Sequence, residues 1–295
     1  MALRPGIYTS LLTPFAADES IDVDAALRLI DLQQEHGVDG LYVGGSSGEA
    51  MLQSRTERAD YLTAVSEAAG GRFELIAHVG AASTADVLAL AETAAESGYA
   101  AVSAISPFYY PFSRSEVIAH YCEIADAAAL PLVIYNFPAI SAAFTMDEFK
   151  LLLSHPNIAG LKHTSSDMYQ LERIRTAFPE TVVYNGYDEM FVAGMASGAQ
   201  GGIGTTYNFM GDLFMRLASE IRADRMDEAR RLQRIANTAI DGLIRVGVMP
   251  GAKAILELMG VGIGQCRRPF RKLVQGDREV LAAAIRPLLD WRAEG

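Results

Sequence analysis

A lysine at the end of an apolar run suggests one specific chemistry. The stretch Ile158-Ala159-Gly160-Leu161-Lys162-His163-Thr164 has the length and make-up of a β-strand. Side chains alternate along a strand, so Ile158, Gly160, Lys162 and Thr164 share one face, and Ala159, Leu161 and His163 the other. If the first face points into an apolar interior, the ammonium loses hydration and the lysine pKa falls. A neutral amine can attack a ketone and form a Schiff base. Gly160 would leave room for the lysine stem. The competing reading is a strand-end lysine that reaches solvent. Tyr135 is weighed the same way in Leu132-Val133-Ile134-Tyr135-Asn136, where it shares a face with Val133. It is either a proton relay beside the lysine or a packed ring with a satisfied hydroxyl.

Other polar segments carry weaker signals. Gly44-Gly45-Ser46-Ser47-Gly48-Glu49 offers free amides and two hydroxyls after a strand, which suits a carboxylate or phosphate. It has neither the lysine of a P-loop nor GxGxxG spacing, so nucleotide binding is not indicated. Glu49 reads as a cap on the following turn. Asp188 and Glu189 open a helix, where acidic residues suit the dipole; they could also accept hydrogen bonds from a polyhydroxylated ligand. The five histidines show no HxH or HExxH spacing, so a metal-dependent mechanism is disfavoured. His163 is expected to face away from the lysine.

The elements that must position these groups follow from periodicity. Strands are predicted near 7–12, 40–43, 74–79, 101–106, 132–136, 158–163, 181–185 and 200–204. Helices are predicted near 23–36, 55–69, 84–97, 114–129, 146–154, 168–178, 189–197 and 209–222. Ser54 with Glu57, Ser113 with Glu116 and Thr145 with Glu148 have capping-box spacing. Gly37 and Gly98 fall where helices should close. Eight βα units in one run predict an α/β fold of the (β/α)8 barrel type, a TIM barrel, over 1–225. Residues 226–295 read as helices only, near 226–246, 250–259 and 277–292, and form a C-terminal helical appendage packed on the barrel. In such a barrel the active site lies at the C-terminal ends of the strands, and every segment singled out above falls there.

Composition sets the outer bounds. The 295 residues are 50% apolar and carry a net charge of −11. That charge is a poor match for nucleic acid or an anionic membrane. Two cysteines without CxxC spacing argue against a disulfide framework. With no apolar leader and no run long enough to span a bilayer, a cytoplasmic setting is expected.

Together these segments resemble the dihydrodipicolinate synthase/N-acetylneuraminate lyase superfamily, and its N-acetylneuraminate lyase branch in particular. The resemblance runs from the first strand to Cys266–Phe270. It is carried by Leu12–Phe15, Gly40–Glu49, Pro107–Ser113, Tyr135–Pro138, Leu161–Ser165, Tyr184–Glu189 and Gly201–Asn208. It implies a class I aldolase that cleaves N-acetylneuraminate reversibly to N-acetylmannosamine and pyruvate. Lys162 would form the Schiff base, Tyr135 would shuttle the proton, and Tyr109 would support the relay, reaching across a subunit interface. Ser46 and Ser47 would hold the pyruvate carboxylate. Thr164, Gly186, Asp188, Glu189 and Thr205 would line the sugar-binding part. It implies no cofactor and a homotetramer. Ser47 stands where the lyases commonly have threonine, which keeps the hydroxyl; His163 stands where they often have glutamine. The synthases carry an arginine where Ile140 stands here, which weighs against a second substrate carboxylate. The alternatives are a synthase-like enzyme, an aldolase for another 2-keto-3-deoxy sugar acid, and a pyruvate-binding regulator without turnover.

Overall fold

The computed structural model describes residues 3–141 and 143–294. Among them, eight parallel strands close into a barrel in chain order. They are β1 (Ile7–Ser10), β2 (Gly40–Val43), β3 (Glu74–His78), β4 (Ala101–Ile105), β5 (Leu132–Asn136), β6 (Ile158–His163), β7 (Val182–Asn185) and β8 (Gly201–Gly204). The outer helices are α1 (Val23–His36), α2 (Arg55–Ala69), α3 (Thr84–Glu96), α4 (Arg114–Ala127), α5 (Met146–Leu153), α6 (Met168–Ala177), α7 (Phe191–Ala196) and α8 (Tyr207–Arg222). The barrel closes where β1 pairs with β8, Tyr8 opposite Ile203. All three predicted capping boxes are present. Gly37 adopts the left-handed conformation that ends α1, with φ +70°.

The chain beyond 225 forms α9 (Met226–Val246), α10 (Val248–Leu258), α11 (Gln275–Ala284) and α12 (Arg286–Glu294). Ile240, Leu243, Ile255 and Leu281 join the same buried apolar cluster as the outer helices. The single helix expected over 277–292 is two helices, broken at Ile285. Pro287 has no N–H to return to the preceding turn, and its ring crowds the carbonyl four residues back, so the first helix ends before it. The helix expected over 189–197 is a short 3₁₀ turn, Asp188–Met190, followed by α7. The last predicted helix of the barrel begins earlier than expected, at Tyr207, and kinks at Met210.

Tyr8, Tyr42, Ile76, Val133, Tyr184 and Ile203 fill the barrel interior, with Leu3 plugging it from below. Tyr8 packs edge-on against Tyr184 at 5.2 Å. Its hydroxyl donates to Glu74 Oε1 at 2.7 Å, and the Tyr184 hydroxyl donates to Arg4 O at 2.7 Å. Among the described residues the N-terminal end is therefore closed, and the interior opens at the opposite mouth. Gly201 permits the tight seam between the last strand and the first: a Cβ there would lie 1.9 Å from Gly6 O.

Strand β6 departs from simple alternation. Leu132 pairs with Ile158, but Val133 pairs with Gly160, so Ala159 is an extra residue in a bulge. Ile158 consequently joins the outer cluster while Ala159 packs against the interior one. This corrects the expectation that Ile158 shares the face of Lys162. Above the bulge, alternation resumes as expected: Leu161 and His163 point outward and Lys162 inward. Gly160 also serves a different purpose from the one expected. A Cβ there would meet Leu3 at 3.0 Å and Val133 at 3.2 Å, so its absence makes room for the plug and not for the lysine stem.

Candidate active site

Lys162 ends β6 inside the mouth of the barrel and is 5% exposed. Its Nζ lies 4.1 Å from the centre of the Tyr135 ring and 4.5 Å from that of Tyr42. Burial pushes its pKa down to about 7, against an opposing pull from Asp188. A lysine that is half neutral near pH 7 is a competent nucleophile toward a ketone. Tyr135 pairs with Lys162 across β5 and β6. Its ring stacks on Phe137 at 5.7 Å. Burial pushes its hydroxyl up to about 12, and the Ser46 and Thr164 hydroxyls beside it act in the opposite direction. The phenol is thus protonated at neutral pH and stands among hydroxyls that can pass a proton.

The turn after β2 stands opposite. Ser46 and Ser47 line the same cavity as Lys162 and Tyr135. Ser47 Oγ lies 2.6 Å from Thr205 Oγ1, which ties the β2 turn to the end of β8. Asn208, at the start of α8, donates to Thr205 O at 2.7 Å and to Ser10 O at 2.8 Å, fixing the position of Thr205. Glu49 does not cap the next turn, as the sequence suggested. It makes no side-chain cap bond there, and its carboxylate is buried against Lys253 at 2.7 Å.

Asp188 and Glu189 differ in role. Asp188 is buried, and one carboxylate oxygen accepts from the Thr206 amide at 2.8 Å and the Thr206 hydroxyl at 2.7 Å. Burial raises its pKa to about 6; the Thr206 bonds and then Lys162 oppose this, while Glu189 adds to it. Its other oxygen, Oδ1, has no partner among the described residues, and neither has Thr164 Oγ1. Both residues line the cavity, as does Glu189, which is exposed. Gly186 is required by this packing, since a Cβ there would lie 1.9 Å from Thr164 Oγ1.

The cavity measures ≈ 240 Å³ and brings together Lys162, Tyr135, Ser46, Ser47, Thr164, Gly186, Asp188, Glu189 and Thr205. Tyr109 is not among its lining residues: it is 86% exposed, with φ +82°. A wider cleft of ≈ 640 Å³, at Phe15–Glu19 and Gly264–Lys272, contains none of these residues. Sequence reasoning missed the far wall, where α9 and α10 contribute Ile240, Leu243, Ile244, Val248 and Met249. Their helical spacing is that of any packed helix, so no local signal marked them. Tyr42 was also missed, although its alternation along β2 would have placed it inward. His78 lies below the site, 1% exposed. Its Nδ1 is 3.0 Å from Gly44 O and its Nε2 accepts from the Ile105 amide.

A buried lysine of lowered pKa, a paired tyrosine and a hydroxyl-rich turn thus meet in one cavity at the C-terminal mouth of a parallel barrel. The chain belongs to the dihydrodipicolinate synthetase family, whose model matches residues 4–288. It is 62% identical over 287 residues to an N-acetylneuraminate lyase of Rhizobium meliloti, covering 97% of this chain and 96% of that one. Among solved structures it resembles a catalytic lysine mutant of the Ruminococcus gnavus sialic acid aldolase. The TM-score is 0.95 at 30% identity, covering 100% of this chain and 99% of that one. It also resembles the N-acetylneuraminate lyase of Fusobacterium nucleatum complexed with pyruvate. Here the TM-score is 0.90 at 33% identity, covering 95% of each chain. Its curated relatives are carbon–carbon lyases.

Proposed function

We propose that this protein is a class I aldolase that cleaves N-acetylneuraminate reversibly to N-acetylmannosamine and pyruvate. The observation that carries the reading is Lys162, buried in the mouth of the barrel beside Tyr135 with its pKa brought down to about 7. Neutral Lys162 attacks the C2 ketone of the open-chain sugar acid, and water leaves to give a protonated imine. The C4 hydroxyl gives its proton through Tyr135, and the C3–C4 bond breaks. The electron pair moves into the imine to form an enamine, and N-acetylmannosamine departs. Protonation at C3 and hydrolysis release pyruvate and restore the amine. The imine is itself the electron sink, so neither metal nor organic cofactor takes part. Ser46 and Ser47 hold the carboxylate; Thr164, Gly186, Asp188, Glu189 and Thr205 receive the sugar.

Two features favour a hydroxylated substrate over one with a second carboxylate. The unpartnered Asp188 Oδ1 and Thr164 Oγ1 suit hydroxyls, and no arginine lines the cavity among the described residues. Ile140, where the synthases carry arginine, is 55% exposed. Treatment with pyruvate and borohydride should leave a reduced pyruvyl adduct on Lys162, found by peptide mass spectrometry. An unmodified Lys162 would sink the mechanism, and faster cleavage of 2-keto-3-deoxygluconate than of N-acetylneuraminate would reassign the substrate.

The protein works in the cytoplasm as a homotetramer in this reading. The free thiols of Cys122 and Cys266 suit a reducing setting, and among the described residues no helix is long and apolar enough to cross a membrane. Tyr109 and Tyr110 are 86% and 66% exposed and pack edge-on at 5.0 Å, an aromatic pair suited to reaching a neighbouring subunit's relay. Sedimentation should give four times the 31.8 kDa chain mass, and a monomer would exclude that role for Tyr109.

A further inference from the structure

The most deeply buried ion pair outside the catalytic cavity joins Lys253 of α10 to Glu49, the last residue of the turn that carries Ser46 and Ser47. Nζ and Oε1 are 2.7 Å apart, and the two side chains are 2% and 0% exposed. The other contacts of the pair tie it to the segment after β1 and to the segment after α10. Lys253 also donates to Thr13 O at 2.8 Å and to Gln265 O at 3.1 Å. Glu49 Oε2 accepts from the Arg267 amide at 2.8 Å. Glu49 is one of few non-glycine residues held at positive φ, at +57°. That conformation is strained for a residue with a side chain and persists only where its surroundings enforce it. The turn also folds back on itself, Glu49 N donating to Ser46 O at 3.1 Å and Gly48 N to Gly45 O at 3.0 Å. Any displacement of Glu49 is therefore passed directly to Ser46.

A buried pair of this kind is a poor source of stability. Desolvating both ions offsets most of their attraction, and apolar replacements of similar volume are often neutral or better. What the pair does supply is one fixed geometry. Resting on the reading that Ser46 and Ser47 hold the substrate carboxylate, we propose that Lys253 and Glu49 are positioning residues for that carboxylate site. Through them α10, whose Val248 and Met249 line the cavity, sets the aim of the turn on the opposite side of the barrel. Neither residue touches substrate; both act through Ser46 and Ser47.

The test compares pyruvate with methyl pyruvate, which has the ketone but no carboxylate. Borohydride trapping on Lys162 is measured against the concentration of each, in the wild type and in Glu49→Gln/Lys253→Met and Lys253→Arg variants. The double variant removes both charges together and leaves no unpaired ion; Lys253→Arg keeps the charge but changes the geometry. Half-saturation by pyruvate should rise tenfold or more in the double variant and by at least threefold in Lys253→Arg, with methyl pyruvate unchanged within twofold. Wild-type half-saturation by pyruvate, or an equal loss for both ketones, overturns the proposal. So does aggregation of both variants, because the pair would then be a stability element. A wild type that traps neither ketone on Lys162 refutes the proposed aldolase instead, and leaves this test distinguishable from that one.

Discussion

Lys162 is held in a state that opposes folding. Its pKa falls from 10.5 to about 7 on burial. The unfolded chain therefore binds the proton more tightly, and that difference corresponds to about 5 kcal/mol against the folded state below pH 7. The sign follows from the direction of the shift. The penalty is full below the folded pKa, shrinks as pH rises through 7 toward 10.5, and vanishes above it. Lys162→Met should thus abolish turnover while stabilising the protein by ~2 kcal/mol or more at pH 6, after allowance for relaxation around the site. The gain should diminish toward pH 10. Urea midpoints at several pH values check it, and a less stable variant at pH 6 would contradict the burial argument. The inward direction of Lys162 was legible in the sequence because alternation holds through the upper half of β6. The direction of Ile158 was not, because a bulge changes parity without leaving a residue type that signals it. The role of Glu49 was equally hidden: its partner lies far along the chain, and a lone glutamate after a Gly/Ser turn looks like any cap.

At the scale of elements, the site is built by junctions and not by strands alone. The 3₁₀ turn after β7 points Asp188 at the start of α8, where Thr206 supplies both an amide and a hydroxyl to one carboxylate oxygen. This leaves the other oxygen free at a defined angle. Thr206→Val keeps the shape, removes the hydroxyl bond and should raise the Asp188 pKa further above its present value near 6. Losing a hydrogen bond to a charged group costs about 1.5–3 kcal/mol. The KM for the sugar acid should accordingly rise about tenfold at pH 7, while pyruvate trapping on Lys162 stays as in the wild type. Steady-state kinetics beside the trapping assay decide it; equal damage to both would place Asp188 in the imine step. The strand and helix order was readable from periodicity because each unit alternates an apolar run with a capped amphipathic one. The division of 189–197 into two pieces was not, since two successive short helical turns give the same pattern as one helix.

For the whole molecule, the boundary near 225 divides the chain by pattern and not by packing. Helices α9 and α10 form one wall of the catalytic cavity, and the apolar cluster runs through both regions. We therefore expect one cooperative unit. Trp291, the single tryptophan, lies on α12 and is packed partly buried against that cluster. Its fluorescence and the far-ultraviolet circular dichroism should change at the same urea concentration. An earlier fluorescence transition would mean an appendage that melts by itself. The pairing of β1 with β8 has a separate consequence during synthesis. The first strand waits on the ribosome for nearly the whole barrel to emerge before its neighbour on that side exists, so the growing sheet presents two open edges throughout. Closure of the seam, followed by α10 and the loop after it folding back against Thr13 and Phe15 near the start of the chain, makes birth of the enzyme a late, all-at-once event, and a truncated nascent chain is left with sticky borders and no catalytic mouth.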